Sequence, residues 1–203
     1  MTMAPLLDLD DQALLDLHDS LDDAGRADLE ARLTAEEDQR DARLAAPDAL
    51  ARAAGWYAAN GIAVFRLLPG GKRPFPGTRG LHDATCDLDV VQAWWRDQPQ
   101  ANIGIPTGHG FDVIDVDGPP GHSSLVDLEP IPTLARARTG SGGLHLYVAA
   151  TGRGNGARIQ PGIDYRGIGG YVVAPPSRHA NGRLYRWERS PSTLIEHLAQ
   201  GQA

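Results

Sequence analysis

The stretch Phe111-Asp-Val-Ile-Asp-Val-Asp-Gly118 decides how this chain is read. It is a short apolar strand that carries Asp115 and Asp117 two residues apart and ends at a Gly-Pro-Pro turn. Alternate side chains of a strand share a face, so the two carboxylates project together, about 7 Å apart at the backbone, while Ile114 and Val116 face the other way. Two ionised acids side by side on an otherwise apolar strand repel each other, and a divalent cation between them relieves the repulsion. Hard carboxylate oxygens favour Mg2+ or Mn2+ over zinc, and such ions mostly serve phosphate chemistry. Taken alone, the segment also permits a strand end with two solvated aspartates before a turn.

Two further strands present polar residues on one face. In Leu144-His-Leu-Tyr-Val148 the alternation sets His145 and Tyr147 opposite Leu144, Leu146 and Val148, and in Ile163-Asp-Tyr-Arg166 it sets Asp164 and Arg166 together. If these strands are neighbours, Asp115, Asp117 and Asp164 converge on one or two metal ions with His145 and Arg166 alongside, which is a kit for phosphoryl transfer. Singly, His145 also reads as a hydrogen-bonded strand residue, and Asp164 with Arg166 as a surface pair. The loop Thr139-Gly-Ser-Gly-Gly143 precedes the His145 strand. Its glycines, Gly142 and Gly143 among them, permit close backbone approach, its amides can cup an anion, and the Ser141 hydroxyl adds a donor. A flexible hairpin connection explains the loop as well. Lys72 and Arg73, in the loop Pro69 to Gly77, are candidates for a triphosphate or template phosphate, or a solvated pair.

The chain of 203 residues has a net charge of -7, unevenly spread. Residues 1–50 hold 14 acidic and 4 basic residues, which leaves 12 acidic and 15 basic for the remainder. An acidic N-terminal segment thus precedes a mildly basic body, compatible with a nucleotide or nucleic-acid partner. The single cysteine, Cys86, excludes a disulfide framework and a multi-cysteine zinc site. No apolar run approaches the roughly 20 residues of a membrane span, and the acidic start is unlike a signal peptide, so no membrane partner and a cytoplasmic location are expected.

The first 46 residues read as two or three short amphipathic helices, with Thr34 and Glu37 as the capping box of a further one. A helix follows over Ala49 to Asn60, ending at Gly61. Strands are expected at Ile62 to Leu68, Ile103 to Ile105, Val113 to Asp117, Gly143 to Ala149, Gly162 to Arg166 and Tyr171 to Ala174. A helix is expected over Asp87 to Arg96, its Trp94 and Trp95 anchoring it in the core, and a last helix starts near Ser192 or Thr193. This mixture implies an α/β or α+β body. Three parts are expected: an acidic helical appendage over 1–48, a catalytic domain over 49–190, and a C-terminal helix or tail over 191–203. The P-loop, the Gly-x-Ser-x-Gly elbow, His-Glu-x-x-His and the paired-cysteine deaminase signature are all absent from the sequence.

From about Ala53 to Trp187 the ordered elements resemble the primase-polymerase domain of plasmid, phage and bacterial replication proteins, a branch of the archaeo-eukaryotic primase superfamily. The matching elements are Trp56-Tyr57 with Gly61, Lys72-Arg-Pro74, Gly80 to Thr85, Trp94-Trp95, Asn102-Ile-Gly104 with Thr107-Gly108, and Asp115-Val-Asp117. They continue through Thr139 to His145, Asp164-Tyr-Arg166, and Ala174-Pro-Pro-Ser177 with His179, Gly182, Tyr185 and Trp187. The resemblance implies an α+β, archaeo-eukaryotic primase-like fold, with an RRM-like catalytic half packed on a smaller α/β half and the active site between them. It implies template-directed nucleotidyl transfer with two Mg2+ or Mn2+ ions held by Asp115, Asp117 and Asp164. His145 then contacts the incoming triphosphate, Ser141 and Arg166 assist, Lys72 contributes, and Ser177 with His179 borders the pocket. The implied partners are a single-stranded DNA template and primer and dNTP or NTP; larger members of the family continue into a helicase, and for this chain, which carries no P-loop, three expectations stand: it acts alone, it recruits a separate replicative helicase, or it is a piece of a longer protein. Two other readings stand beside it: a catalytically silent nucleotide- or DNA-binding module, and a metal-dependent nuclease.

Overall fold

A computed structural model describes residue 9 and residues 11–126, 131–188 and 191–201. The chain divides into two compact units, Met1–Ala49 and Leu50–Ala203. The first holds α1 (Asp11–Asp19) and α2 (Asp23–Ala45). The Asp22 carboxylate caps α2 by accepting from the Gly25 amide at 2.8 Å. The helix start expected at Thr34 is corrected, because α2 runs straight through it. Thr34 Oγ1 donates back to the Glu30 carbonyl, 2.9 Å away and one turn earlier, so the helix itself satisfies the hydroxyl. The side chain of Glu37, the other half of that signature, lies outside the described residues.

The second unit is α+β. After α3 (Ala49–Ala59) come β1 (Phe65–Leu67), a 3-10 turn (Gly80–Asp83), α4 (Leu88–Asp97), β2 (Asn102–Pro106), β3 (Phe111–Val116) and α5 (Gly118–Val126). Then follow β4 (Ala135–Arg138), β5 (Leu144–Ala149), β6 (Gly156–Gln160), β7 (Ile163–Arg166), β8 (Tyr171–Ala174), β9 (Arg186–Trp187) and α6 (Ser192–Gln200). The strands form a three-stranded sheet, β1-β2-β8, and a six-stranded sheet, β6-β7-β3-β5-β4-β9. All the pairings between these strands are antiparallel.

Several elements depart from expectation for identifiable reasons. Strand β1 begins at Phe65 rather than Ile62, because the Ile62 amide reaches back to the Tyr57 carbonyl at 2.9 Å and finishes α3, with Gly61 at φ 76° making the turn. Helix α5 occupies the Gly-Pro-Pro segment read as a turn. Pro119 and Pro120 sit in its first turn, where an amide hydrogen has no helical acceptor to lose. Strands β4, β6 and β9 were not anticipated. As expected, both tryptophans of α4 anchor it: Trp95 is buried and donates from Nε1 to the Ala101 carbonyl at 2.9 Å, and Trp94, half-buried, packs against the same core with the Arg66 guanidinium over its ring.

The six-stranded sheet is buried on both faces. One face, through Phe111, Val113, Ala135, Ala137 and Tyr147, joins a core with α3, α4, α6 and the small sheet. The other, through Ile114, Val116, Leu144, Leu146 and Ile163, packs against Leu125 of α5 and Ile131. Among the described residues no helix is long and apolar enough to cross a membrane.

Candidate active site

Asp115 sits near the end of the central strand β3, and its setting follows from register. It is paired with Asp164 on β7 and with His145 on β5. Directly paired residues of antiparallel strands project on the same face, so Asp164, Asp115 and His145 form a row across three strands. The row lies on the same face as Val113 and Tyr147, where that apolar face runs out towards the strand ends.

Arg166 binds this row together. Its Nη2 donates to Asp115 Oδ2 at 3.0 Å and to Asp164 Oδ2 at 2.8 Å, and its Nε donates to Asp115 Oδ2 at 3.3 Å. His145 Nε2 lies 3.5 Å from the other oxygen of Asp115, while His145 Nδ1 is buried with no partner among the described residues. Burial works against the charge on Asp115. The neighbouring His145 and Arg166 outweigh it and hold the carboxyl down at about 2.

Asp117 lies one residue beyond β3 and is exposed, its amide donating to the Gly162 carbonyl at 2.7 Å. Partial burial and then the negative charge of Asp115 raise its pKa, Lys72 partly offsetting the effect. That Asp117 feels Asp115, Asp164, His145 and Lys72 places all five side chains in one electrostatic neighbourhood.

A cleft of about 220 Å³ opens between the two sheets, lined by Asp115, His145 and Arg166 of the large sheet, Tyr171 and Val173 of the small one, and Lys72. The Lys72 loop is held at several points. Asn102, fully buried, donates from Nδ2 to the carbonyls of Gly71 at 2.9 Å and Arg178 at 2.7 Å, and its Oδ1 accepts from the Arg178 amide at 2.9 Å. Tyr171 OH donates to the Lys72 carbonyl at 2.9 Å. Arg66 spans the rings of Phe75 and Trp94, 5.4 and 5.2 Å from their centroids, and fixes the far end of the loop.

The remaining candidates are placed differently. In the Thr139 to Gly143 turn the Gly142 amide donates to the Thr139 carbonyl and the Gly143 amide to Thr139 Oγ1, both at 2.9 Å. Those two amides are engaged inside the hairpin, and the Ser141 hydroxyl lies 2.9 Å from Thr139 Oγ1. Gly143 is pressed onto β3, where a Cβ would come within 2.2 Å of the Val116 carbonyl oxygen, so the turn closes over the end of the aspartate strand. Ser177 is fully buried and its Oγ accepts from the Ile103 amide at 2.8 Å, which ties its hydroxyl to β2. His179 stands behind Tyr185, whose ring centroid is 6.3 Å from His179 and 5.9 Å from His145.

Sequence reasoning did not assign roles to Tyr185, Tyr171 or Asn155, which line the cleft, or to Asn102 behind it. Burial, and then the charges of Asp115 and Asp117, push the Tyr185 phenol well up, so it stays a neutral donor.

Among the described residues no group of three or more His, Cys, Asp or Glu side chains is gathered closely enough to hold a metal ion; Asp115 and Asp164 meet on one Arg166 nitrogen, 3.0 and 2.8 Å away. Their oxygen donors suit a hard divalent ion.

This arrangement has a counterpart among known families. Residues 54–200 match the family described as bifunctional DNA primase/polymerase, N-terminal, and the chain belongs to that family. Its members are nucleotidyltransferases of the DNA primase/polymerase type and are generally dependent on a divalent metal. No curated protein matches the chain.

Proposed function

We propose that this chain catalyses template-directed nucleotidyl transfer, extending a primer on single-stranded DNA with nucleoside triphosphates. The observation that carries the reading is the row Asp164, Asp115 and His145 with Arg166 bridging both acids, set beside a cleft that also receives Lys72. Asp115, Asp117 and Asp164 are the residues that would hold Mg2+ or Mn2+. When bound, the metal supplies positive charge against the α-phosphate and acidifies the attacking hydroxyl. Lys72, His145 and Arg166 bind the triphosphate tail, and the walls formed by Tyr171, Val173 and Tyr185 exclude water from it.

Positive charge held where negative charge develops favours the transition state over free substrate. The test is primer extension with labelled nucleotides and Mg2+ or Mn2+, beside Asp115→Ala and His145→Ala. Incorporation that both variants abolish supports the proposal. Binding of nucleotide without incorporation, or strand shortening lost in the variants, overturns it in favour of a silent module or a nuclease.

A further inference from the structure

The turn Thr139 to Gly143, pressed onto the end of the aspartate strand, is gripped from two sides by side chains without a part in the site so far. From α5, His122 Nε2 lies 3.2 Å from the Gly142 carbonyl oxygen. A carbonyl oxygen only accepts, so Nε2 carries the hydrogen. From the loop between β8 and β9, Asn181 Nδ2 donates to the Gly140 carbonyl at 2.9 Å. The Asn181 amide has one orientation that satisfies both of its ends, because its Oδ1 accepts from the Arg183 amide at 3.0 Å.

We infer that His122 and Asn181 are positioning residues for nucleotide binding: by holding the two carbonyls of the turn, they fix it with Ser141 presenting its amide and hydroxyl to phosphate. The inference rests on the nucleotidyl-transfer reading and deepens it. In a trans peptide the carbonyl and the following amide hydrogen point to opposite sides. With the Gly140 carbonyl drawn to Asn181, the Ser141 amide points away from the β8–β9 loop. Ser141 is exposed, and its amide makes no hydrogen bond among the described residues. Glycines on either side of Ser141 leave these peptides free to rotate, and a rotated peptide would set a carbonyl oxygen against the phosphate charge. Each clamp disfavours that rotation.

The clamps stand on fixed ground. A Cβ on Gly140 would come within 2.3 Å of the His179 Cβ and 2.9 Å of the Arg183 carbonyl oxygen, so the turn lies directly on the loop that carries Asn181. That loop is closed by the His179 amide, which donates to the Arg183 carbonyl at 2.8 Å, and by the Gly182 amide, which donates to the His179 carbonyl at 2.9 Å. On the other side Gly121, next to His122, donates from its amide to the Asp117 carbonyl at 3.2 Å. A Cβ on Gly121 would come within 2.3 Å of the Gly162 carbonyl oxygen, which seats α5 on the turn before β7. Through His122 the orientation of the turn is therefore tied to the segment that carries Asp117.

The experiment uses the full chain with His122→Ala, His122→Gln and Asn181→Ala, the last at an exposed position. Direct binding of a fluorescent deoxyadenosine triphosphate, and its competition by inorganic tripolyphosphate, are measured beside extension assays in which primer and nucleotide are varied separately. Loss of one neutral hydrogen bond is expected to raise the nucleotide Kd and KM about fivefold in His122→Ala and in Asn181→Ala. Tripolyphosphate should weaken by the same factor, with the primer KM and kcat unchanged. His122→Gln supplies a neutral donor and should restore the affinity, which separates the bond from any charge on the imidazole. An unchanged nucleotide Kd in both alanine variants overturns the inference. So does an equal loss of primer affinity, or a His122→Gln variant as weak as His122→Ala. Wild-type protein that binds no nucleotide and extends no primer overturns the underlying reading as well, whereas active wild type with unaffected variants overturns the clamp assignment alone.

Discussion

Asp115 and Asp164 face each other across β3 and β7, and one nitrogen of Arg166 lies within 3.0 Å of an oxygen of each. Two adjacent acids on a partly buried face need a counter-charge, and the guanidinium provides it. Arg166 therefore competes with a metal for the same carboxylates. Arg166→Ala should bind Mn2+ more tightly in the absence of nucleotide, by about tenfold if one charge-assisted hydrogen bond is released. It should also bind triphosphate more weakly. Titration of free Mn2+ by electron paramagnetic resonance, with and without nucleotide, measures both. An unchanged Mn2+ affinity means that the bridge does not oppose the metal.

Asp115→Asn keeps the shape of the side chain and an oxygen that can accept from Arg166, but removes the charge. Extension should fall by about a thousandfold or more, since the change removes the central member of the row. The melting temperature should shift by no more than a few degrees. A variant with more than a tenth of wild-type activity would remove Asp115 from the chemistry.

Much of this site is visible in the sequence because each polar residue falls on a strand with period-two alternation. Asp115 with Asp117, His145 with Tyr147, and Asp164 with Arg166 are each assigned to one face by spacing alone. Their order across the sheet is set by tertiary pairing, and nothing within a strand states that β3 lies between β7 and β5. Ser177 shows the opposite case. The family resemblance sets it at the border of the pocket, but its hydroxyl accepts from a backbone amide of the adjacent strand, a role with no local signature. Strand β4 escaped notice because Ala-Arg-Ala-Arg is weak in strand propensity, and only its pairing with β5 and β9 makes it a strand.

Asn102 makes a second test of how the cleft is built. Its amide holds the Gly71 and Arg178 carbonyls together from a fully buried position, so Asn102→Ala leaves those backbone groups unpaired. The expected cost is about 2–4 kcal/mol in denaturant unfolding. Tyr171→Phe removes only the bond to the Lys72 carbonyl at the protein surface. It should leave stability within about 0.5 kcal/mol of wild type and raise the nucleotide KM several-fold without changing kcat. If the KM does not move, the Lys72 loop is not positioned through Tyr171.

The two aspartates of β3 and its end respond to acid in opposite directions. Burial opposes the charge of Asp115, but His145 and Arg166 hold its pKa at about 2. Its contribution to stability is therefore complete above the unfolded value of about 3.9 and is lost as the pH falls through about 2. Asp117 has a raised pKa, from partial burial and the charge of Asp115, so its ionised form costs stability at every pH above that value. Asp117→Asn should accordingly raise the melting temperature of the metal-free protein at pH 7, by about 1 °C for an exposed group. The gain should vanish near pH 3, where Asp117 is already protonated. Divalent-ion affinity should fall on acidification as Asp117 takes up its proton, while Asp115 is still charged, and in Asp117→Asn that acid limb should disappear along with most of the affinity. Calorimetric melting and Mn2+ titration at stepped pH follow both quantities. A lower melting temperature for Asp117→Asn at pH 7 would show that Asp117 is stabilised by a partner rather than strained by its neighbouring acids.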